Sequence, residues 1–219
     1  MCIRDSLKAL ASAVAQSGAG LHEDCQIGWE IVSGRLRLKS GESDEFDQVC
    51  VCAGAWSSPL LKELGIHMPL IPVRGQMLMF KLPSQMFEPV INEGSRYIVP
   101  RADGHVLVGS TTEEVGFDES TTDSKLKELQ RFATSLVPSL EESVIVGSWA
   151  GLRPASHDGF PYMGALPGLK NGFVATGHFK AGLQVSPAVA VMLADCMEGR
   201  DTLMDLDIFS PGRLNSWAD

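Results

Sequence analysis

Asp47-Gln48-Val49-Cys50-Val51-Cys52-Ala53-Gly54-Ala55-Trp56-Ser57-Ser58-Pro59 is the stretch on which the fold turns. Asp47 to Ala53 is an apolar run without polar alternation, the pattern of a strand covered on both faces. Gly54 to Ser57 follows as a glycine turn. Ser58 then stands as an N-cap, with Pro59 at the first helical position, before a helix through Leu60, Leu61 and Leu64 that Gly65 stops. Strand, glycine turn and helix form the grammar of a nucleotide-binding α/β fold, and such a helix start favours an anionic group. A tight turn with no ligand accounts for an isolated motif equally well.

Working outward, Leu7 to Gln16 reads as a short helix, while Met1 to Ser6 is neither a signal peptide nor an obvious element. Cys25 to Val32 and Arg35 to Lys39 read as strands joined by the Ser33-Gly34 turn. Downstream the grammar changes. Pro72 to Leu82, Arg96 to Pro100 and His105 to Ser110 are strand-like, with Asp103-Gly104 turning the last two. Thr122 to Leu136 carries Leu126, Leu129, Ala133 and Leu136 on one helical face, and Ser143 to Trp149 is a further strand. This middle section reads as an antiparallel sheet with one covering helix, inserted into the first domain. After a Gly- and Pro-rich stretch, Phe173 to Thr176, the loop Gly177 to Gly182 and a helix from Ser186 to Glu198 repeat the strand–glycine–helix order. The fold class expected is therefore α/β (α+β), with residues 1–71 and 150–206 in a Rossmann-like domain, 72–149 in the inserted one and 207–219 as a tail.

The 219 residues are 44% hydrophobic and 21% charged, as in an ordinary globular protein. A formal net charge of −9 argues against broad binding to nucleic acid or an anionic membrane. The most apolar stretch, Leu183 to Met197, is too short to span a bilayer and contains Asp195, so it reads as a buried helix; a cytoplasmic location follows by default. Five cysteines give no disulfide framework and no zinc-type spacing. Cys50 and Cys52 share a strand face and read as small buried apolar residues.

Two further segments carry chemistry. Arg153, in Trp149-Ala150-Gly151-Leu152-Arg153-Pro154, sits where a strand leaves the sheet; in apolar surroundings it must find an anion, because it cannot shed its charge. A bidentately held carboxylate is the functional reading. An ion pair with one of the chain's own 27 acidic residues is the structural one. In Gly177-His178-Phe179-Lys180-Ala181-Gly182, consecutive backbone N–H groups at a helix start suit developing negative charge. His178 there is as readily a packing residue as a base.

Jointly and in this order, PVRGQM (72–77), RYIVPRADGHVLVGST (96–111), WAGLRPASHDGFPYMG (149–164) and GHFKAG (177–182) resemble the D-amino-acid-oxidase-like family of FAD-dependent oxidoreductases, within it most of all the glycine oxidases of thiamine biosynthesis. The resemblance implies that Arg153 and Tyr97 hold a substrate carboxylate. It implies that Gly54, Ala55 and Trp56 line the FAD, with Ile27 near its adenine end. It also implies that His178, Phe179, Lys180, Ala181 and Gly182 face the flavin's pyrimidine edge. Lys180, which the resemblance also implies as a substrate contact, stands where glycine oxidases commonly have arginine; it keeps the charge and loses the planar fork. Thr112 falls where a more apolar pocket residue occurs.

The implied reaction is oxidative deamination of glycine or a similar small amino acid by non-covalent FAD and dioxygen, giving hydrogen peroxide. The relatives suggest a homotetramer. A quinone-reducing D-amino-acid dehydrogenase and a non-catalytic binding protein are the alternatives. Family members open with a G-x-G-x-x-G strand–helix unit under the FAD pyrophosphate, and no such fingerprint occurs in this sequence. The FAD cradle is thus expected to be incomplete, and the 219 residues expressed alone are expected to purify colourless. A flavin absorbance band in the pure protein would contradict this.

Overall fold

In the computed structural model, which describes residues 3–39, 46–83 and 87–213, the chain divides into two units. One holds Met1–Met68, Phe160–Thr176 and Lys180–Asp219; the other holds Pro69–Gly159 and Gly177–Phe179. In chain order the elements are α1 (Ile3–Gln16), β1 (Gly28–Val32), β2 (Arg35–Lys39), β3 (Val49–Val51) and α2 (Ser57–Glu63). Next come β4 (Leu70–Lys81), β5 (Ile91–Glu93), β6 (Arg96–Pro100), β7 (His105–Gly109), β8 (Glu113–Glu114), α3 (Asp123–Leu136) and β9 (Val144–Ser156). The series closes with β10 (Tyr162–Ala165), β11 (Gly172–Thr176) and α4 (Gly182–Met197). The mixed α/β character and the antiparallel sheet are those expected.

In the first unit, β1 and β2 pair antiparallel across Ser33 and Gly34, whose φ values of 54° and 78° are the two left-handed positions of a type I′ turn. A second sheet runs β10-β11-β3, with β11 antiparallel to β10 and parallel to β3. Met163 and Phe173 of this sheet bury against Met192 and Leu193 of α4, with Cys50 packed alongside. Asn171 ties the hairpin to this sheet: its side chain accepts from the Leu36 N–H at 2.7 Å and donates to the Leu36 carbonyl at 3.0 Å.

Several expectations here need correction. Met1 to Ser6 does hold an element, since α1 already begins at Ile3. β3 is only three residues long, so Cys52 lies beyond its end and is exposed rather than buried. α2 begins at Ser57, because a 3-10 turn over Gly54–Trp56 runs straight into it; Ser58 and Pro59 fall inside the first turn rather than at the cap. Gly65, at φ 74°, does follow the helix end. α4 likewise starts a turn before Ser186. Pro187 leaves the Leu183 carbonyl without its helical N–H, and the Ser186 hydroxyl donates to that carbonyl at 2.9 Å instead. The helix is not fully buried, for Val191 is 58% exposed. Part of the expected 207–219 tail is a 3-10 turn, Asp207–Phe209; residues 214–219 lie outside the described residues.

The second unit is a sheet in the order β5-β6-β7-β4-β8, with β9 on the other edge of β4. One face supplies Leu78, Phe80, Ile98, Val106 and Val108, which pack on Leu129, Phe132 and Ala133 of α3. β9 corrects the expected domain boundary. It runs through Arg153 and Pro154 to Ser156, paired with β4 throughout, so residues 150–159 belong with the sheet. Pro154 is tolerated because β9 is an edge strand, with a side that needs no donor. Among the described residues no helix is long and apolar enough to cross a membrane, and no cluster of three or more His, Cys, Asp or Glu residues could hold a metal.

Candidate active site

Strand alternation decides what the open face of the second unit's sheet carries. Residues directly opposite in a ladder share a face, as do residues two apart. Arg153, Gly151 and Trp149 of β9 lie opposite Val73, Gly75 and Met77 of β4, and Met77 and Tyr97 both lie opposite Gly109 of β7. The core residues Leu78, Phe80, Ile98, Val106 and Val108 occupy the alternate positions. Arg153 and Tyr97 thus come together on the face away from α3, both half-buried.

Two glycines make room for them. A Cβ on Gly75 would stand 2.1 Å from both terminal nitrogens of Arg153, so the guanidinium lies directly over the Gly75 backbone. A Cβ on Gly109 would meet the Met77 sulfur at 2.2 Å and Tyr97 Cζ at 3.0 Å. The Tyr97 hydroxyl stands 3.4 Å from the Met77 sulfur. Arg153 donates to Ser110 Oγ at 2.8 Å and to the Thr111 carbonyl at 3.3 Å. Among the described residues no carboxylate lies within ion-pair distance of it. Burial pulls its pKa down, while the Tyr97 phenol acts the other way; an arginine nevertheless stays charged at neutral pH. A half-buried cation held only by neutral acceptors is poised for an anion from outside.

Beneath this face, Thr111 is fixed by a polar network. Its hydroxyl donates to Glu113 Oε1 at 2.6 Å and accepts from the Gln76 N–H at 2.8 Å. Gln76 also bonds Glu113 and Thr122 at the start of α3. The buried Arg74 donates to Glu113 at 3.1 Å and Asp118 at 2.6 Å. Burial pushes the Glu113 carboxyl up, but hydrogen bonds from Thr111, Arg74 and Gln76 more than offset it and hold the group below its ordinary range. An unfolded Glu, at about 4.3, therefore takes its proton first. The stability Glu113 contributes is complete above that value and is lost as pH falls through the lower folded one. Urea midpoints are expected to drop on acidification below about pH 4.3, with a shallower drop in Glu113→Gln; equal slopes would contradict this.

The loop Gly177–Gly182 is divided between the units. Gly177 to Phe179 go with the sheet: the Phe179 N–H donates to the Pro154 carbonyl at 2.8 Å, and His178 forms a bridge with Ala155. The pairing holds Phe179 at φ 47°, a costly conformation for a bulky residue. His178 Nε2 is shut from solvent with no partner among the described residues, and burial lowers the ring's pKa, keeping it neutral. Lys180, Ala181 and Gly182 go with the first unit, where Ala181 and Lys180 are exposed at the start of α4. In the same unit the Gly54–Trp56 turn follows β3, and Thr176, ending the parallel neighbour β11, donates to the Gly54 carbonyl at 2.8 Å. The two parallel strands thus end side by side, where open α/β sheets bind ligands. Gly54 has φ 55° and open space beyond it, Ala55 is buried and Trp56 is exposed. Ile27 is exposed just ahead of β1, the first strand of the separate hairpin sheet.

A family model described as FAD dependent oxidoreductase, DAO, matches residues 2–196. The chain belongs to the DAO family. Glycine oxidase of Pseudomonas aeruginosa is 40% identical over 198 residues, which are 89% of this chain and 54% of that protein. The crystal structure of glycine oxidase from Geobacillus kaustophilus superposes with a TM-score of 0.86 at 32% identity, covering 94% of this chain and 56% of that one. Iminodiacetate oxidase from Chelativorans sp. BNC1 gives the same TM-score at 27% identity, with 93% and 57% covered. The chain thus spans a little over half the length of these relatives. The resemblance carried by the sequence motifs is borne out at the level of family and fold.

For a DAO-family chain, each unit taken by itself has a feature that suits a cofactor: in the second, His178 Nε2 is buried without a partner among the described residues, and in the first, the Gly54 turn opens onto free space. Ser110, Thr111, Gly75 and Gly109 are the positions that shape the surroundings of Arg153 and Tyr97, and the motifs by themselves give them no role. The signal is a glycine within a strand at Gly75 and one at a strand's end at Gly109, each marking close approach by another group. Gly75→Ala is expected to swing the flexible Arg153 aside with little loss of stability, yet to weaken carboxylate binding about 100-fold. Unchanged carboxylate affinity by calorimetry would show that Gly75 is no bed for the guanidinium.

Proposed function

We propose that this chain serves in the FAD-dependent oxidation of a small amino acid, glycine or a near relative, with Arg153 and Tyr97 holding its carboxylate. The observation that carries the reading is the half-buried Arg153 guanidinium, bonded among the described residues only to Ser110 and Thr111 and lying near a phenol on the open sheet face. A carboxylate there completes a charge-assisted pair that the fold leaves open. Fixing the carboxylate orients the adjacent Cα–H and amine, the main demand of this chemistry. FAD, when bound non-covalently, supplies the two-electron acceptor. Gly54, Ala55, Trp56 and the amides of residues 178–182 are the residues we assign to it, with Ile27 toward its adenine and Lys180 also near the substrate. Among the described residues no acid–base pair stands beside Arg153, in keeping with an amine that reacts already deprotonated, and neutral His178 serves as a hydrogen-bonding group.

Overall, amino acid, water and dioxygen become 2-oxo acid, ammonia and hydrogen peroxide. A homotetrameric enzyme of the thiamine pathway is the setting the resemblance implies. The test supplies FAD and compares glycine with methylamine, which lacks the carboxylate. Peroxide formed from glycine and not from methylamine supports the reading. Reduction of an artificial dye without peroxide would replace the oxidase by a dehydrogenase. No carboxylate-dependent binding or turnover would remove the reading.

A further inference from the structure

Cys50 and Cys52 are not absorbed by the site. Cys50 is the middle residue of β3, half-buried against the α4 cluster. Cys52 is exposed, one residue past the strand end and two before the Gly54 turn. Their sulfurs stand 3.5 Å apart, within hydrogen-bond reach of each other, and both thiols are free. From this geometry we infer that Cys50 and Cys52 form a peroxide-sensitive dithiol, a reversible oxidation site that closes to an intrachain disulfide.

Three features support the assignment. First, the reactive partner is identifiable. Either sulfur can donate across this contact; with the exposed Cys52 as acceptor, and against the effect of burial, this bond and one from the Ala175 backbone bring Cys52 down to about 7. A thiolate at that position is both populated at neutral pH and open to solvent. Second, the resolving thiol is already in place, since Cys50 is held back in protonated form by the same contact and by burial.

Third, the backbone can accommodate closure. A disulfide needs Cα atoms within about 4.4–6.8 Å, while residues two apart in an extended chain lie about 6.5 Å apart. A small contraction suffices, and Cys52 can supply it because it lies outside the ladder. The bridge formed across so short a loop is strained, and therefore readily reduced.

The chemistry balances with hydrogen peroxide as oxidant. The Cys52 thiolate attacks one peroxide oxygen; an S–O bond forms, the O–O bond breaks and hydroxide leaves, taking a proton to become water. The Cys50 sulfur then attacks Cys52, the S–S bond forms, the S–O bond breaks and a second water leaves. Two thiols lose two electrons and two protons, and one peroxide becomes two waters. The proposed function would make this oxidant in situ; only the source, and not the site, rests on that reading.

The test uses the whole 219-residue chain, reduced, exposed to added hydrogen peroxide and quenched with iodoacetamide, with peptide masses read afterwards. The expected result is a peptide spanning Cys50 and Cys52 that is two hydrogens lighter and unalkylated, restored by a mild dithiol. The exposed Cys25 should stay alkylated under the same exposure, with at least a tenfold difference in rate. In Cys50→Ser the reaction should stop at a Cys52 sulfenic acid trapped by dimedone, and in Cys52→Ser, Cys50 should remain alkylatable. Circular dichroism checks that the variants fold, and the wild-type masses stand without them. Cys50 and Cys52 alkylated as fully as Cys25 after peroxide, or bridged only between chains, would overturn the proposal. Added peroxide keeps the outcome independent of whether the chain oxidises any amino acid.

Discussion

Arg74→Met is expected to lower the stability of the second unit by about 3–5 kcal/mol. Arg74 is 3% exposed and reaches Glu113 and Asp118 with its two terminal nitrogens. Methionine matches its length but leaves Glu113, itself mostly buried, as an uncompensated charge. Breaking a buried pair from one side costs far more than removing both partners. Asp118 is half exposed, and its share is correspondingly small. Urea unfolding followed by circular dichroism measures the loss. The double variant with Glu113→Gln should recover a substantial part of it, because Gln76 and Thr111 can still bond a neutral amide. A loss under about 1 kcal/mol in the single variant would show that water already solvates this pair, as at a surface bridge.

Arg153→Ala is expected to behave in the opposite way. Among the described residues its guanidinium has only neutral acceptors, Ser110 Oγ and the Thr111 carbonyl, so truncation removes a partly desolvated charge and strands none of their carboxylates. Thermal stability should be unchanged or slightly higher, while affinity for a small amino-acid carboxylate falls about 100- to 1,000-fold. Arg153→Lys should lie between, keeping the charge but losing the two-pronged geometry. Calorimetric titration and a melting curve on the same preparations give both readouts. A marked drop in melting temperature with intact carboxylate binding would make Arg153 a structural residue and remove it from the site.

The two arginines show how far pattern reading reaches. Both lie in apolar strands, and their sequence contexts do not distinguish a paired cation from an unpaired one. What separates them is the set of groups across the ladder, which comes from remote segments: Glu113 and Asp118 for Arg74, Ser110 and Thr111 for Arg153. Local signals do well where local energetics decide. β6, β7 and α3 fall within a residue or so of their expected limits, since strand alternation, the Asp103-Gly104 turn and an amphipathic face all act over short range. They fail along β9 beyond Trp149, where Gly and Pro suggest a loop but an edge position tolerates them. They fail again at β10, inside the same Gly- and Pro-rich stretch, whose strand character depends on pairing with β11. At Cys52 the error is one of length: a strand three residues long leaves outside what a longer one would have buried.

The edge position of β9 has a consequence for the order in which the site comes into being. β5, β6 and β7 are linked by short hairpins and can form early, whereas β9 must return to β4 across most of the second unit. Pairings between segments so distant carry the largest loop-closure entropy and are made late. An outermost strand is also the natural first element to detach in a partial opening. Because Arg153 rides on β9 while its glycine bed lies on β4, the carboxylate clamp we propose requires that last ladder to be closed. Amide exchange along β9 would therefore report the lifetime of the competent state, and a bound carboxylate should slow it.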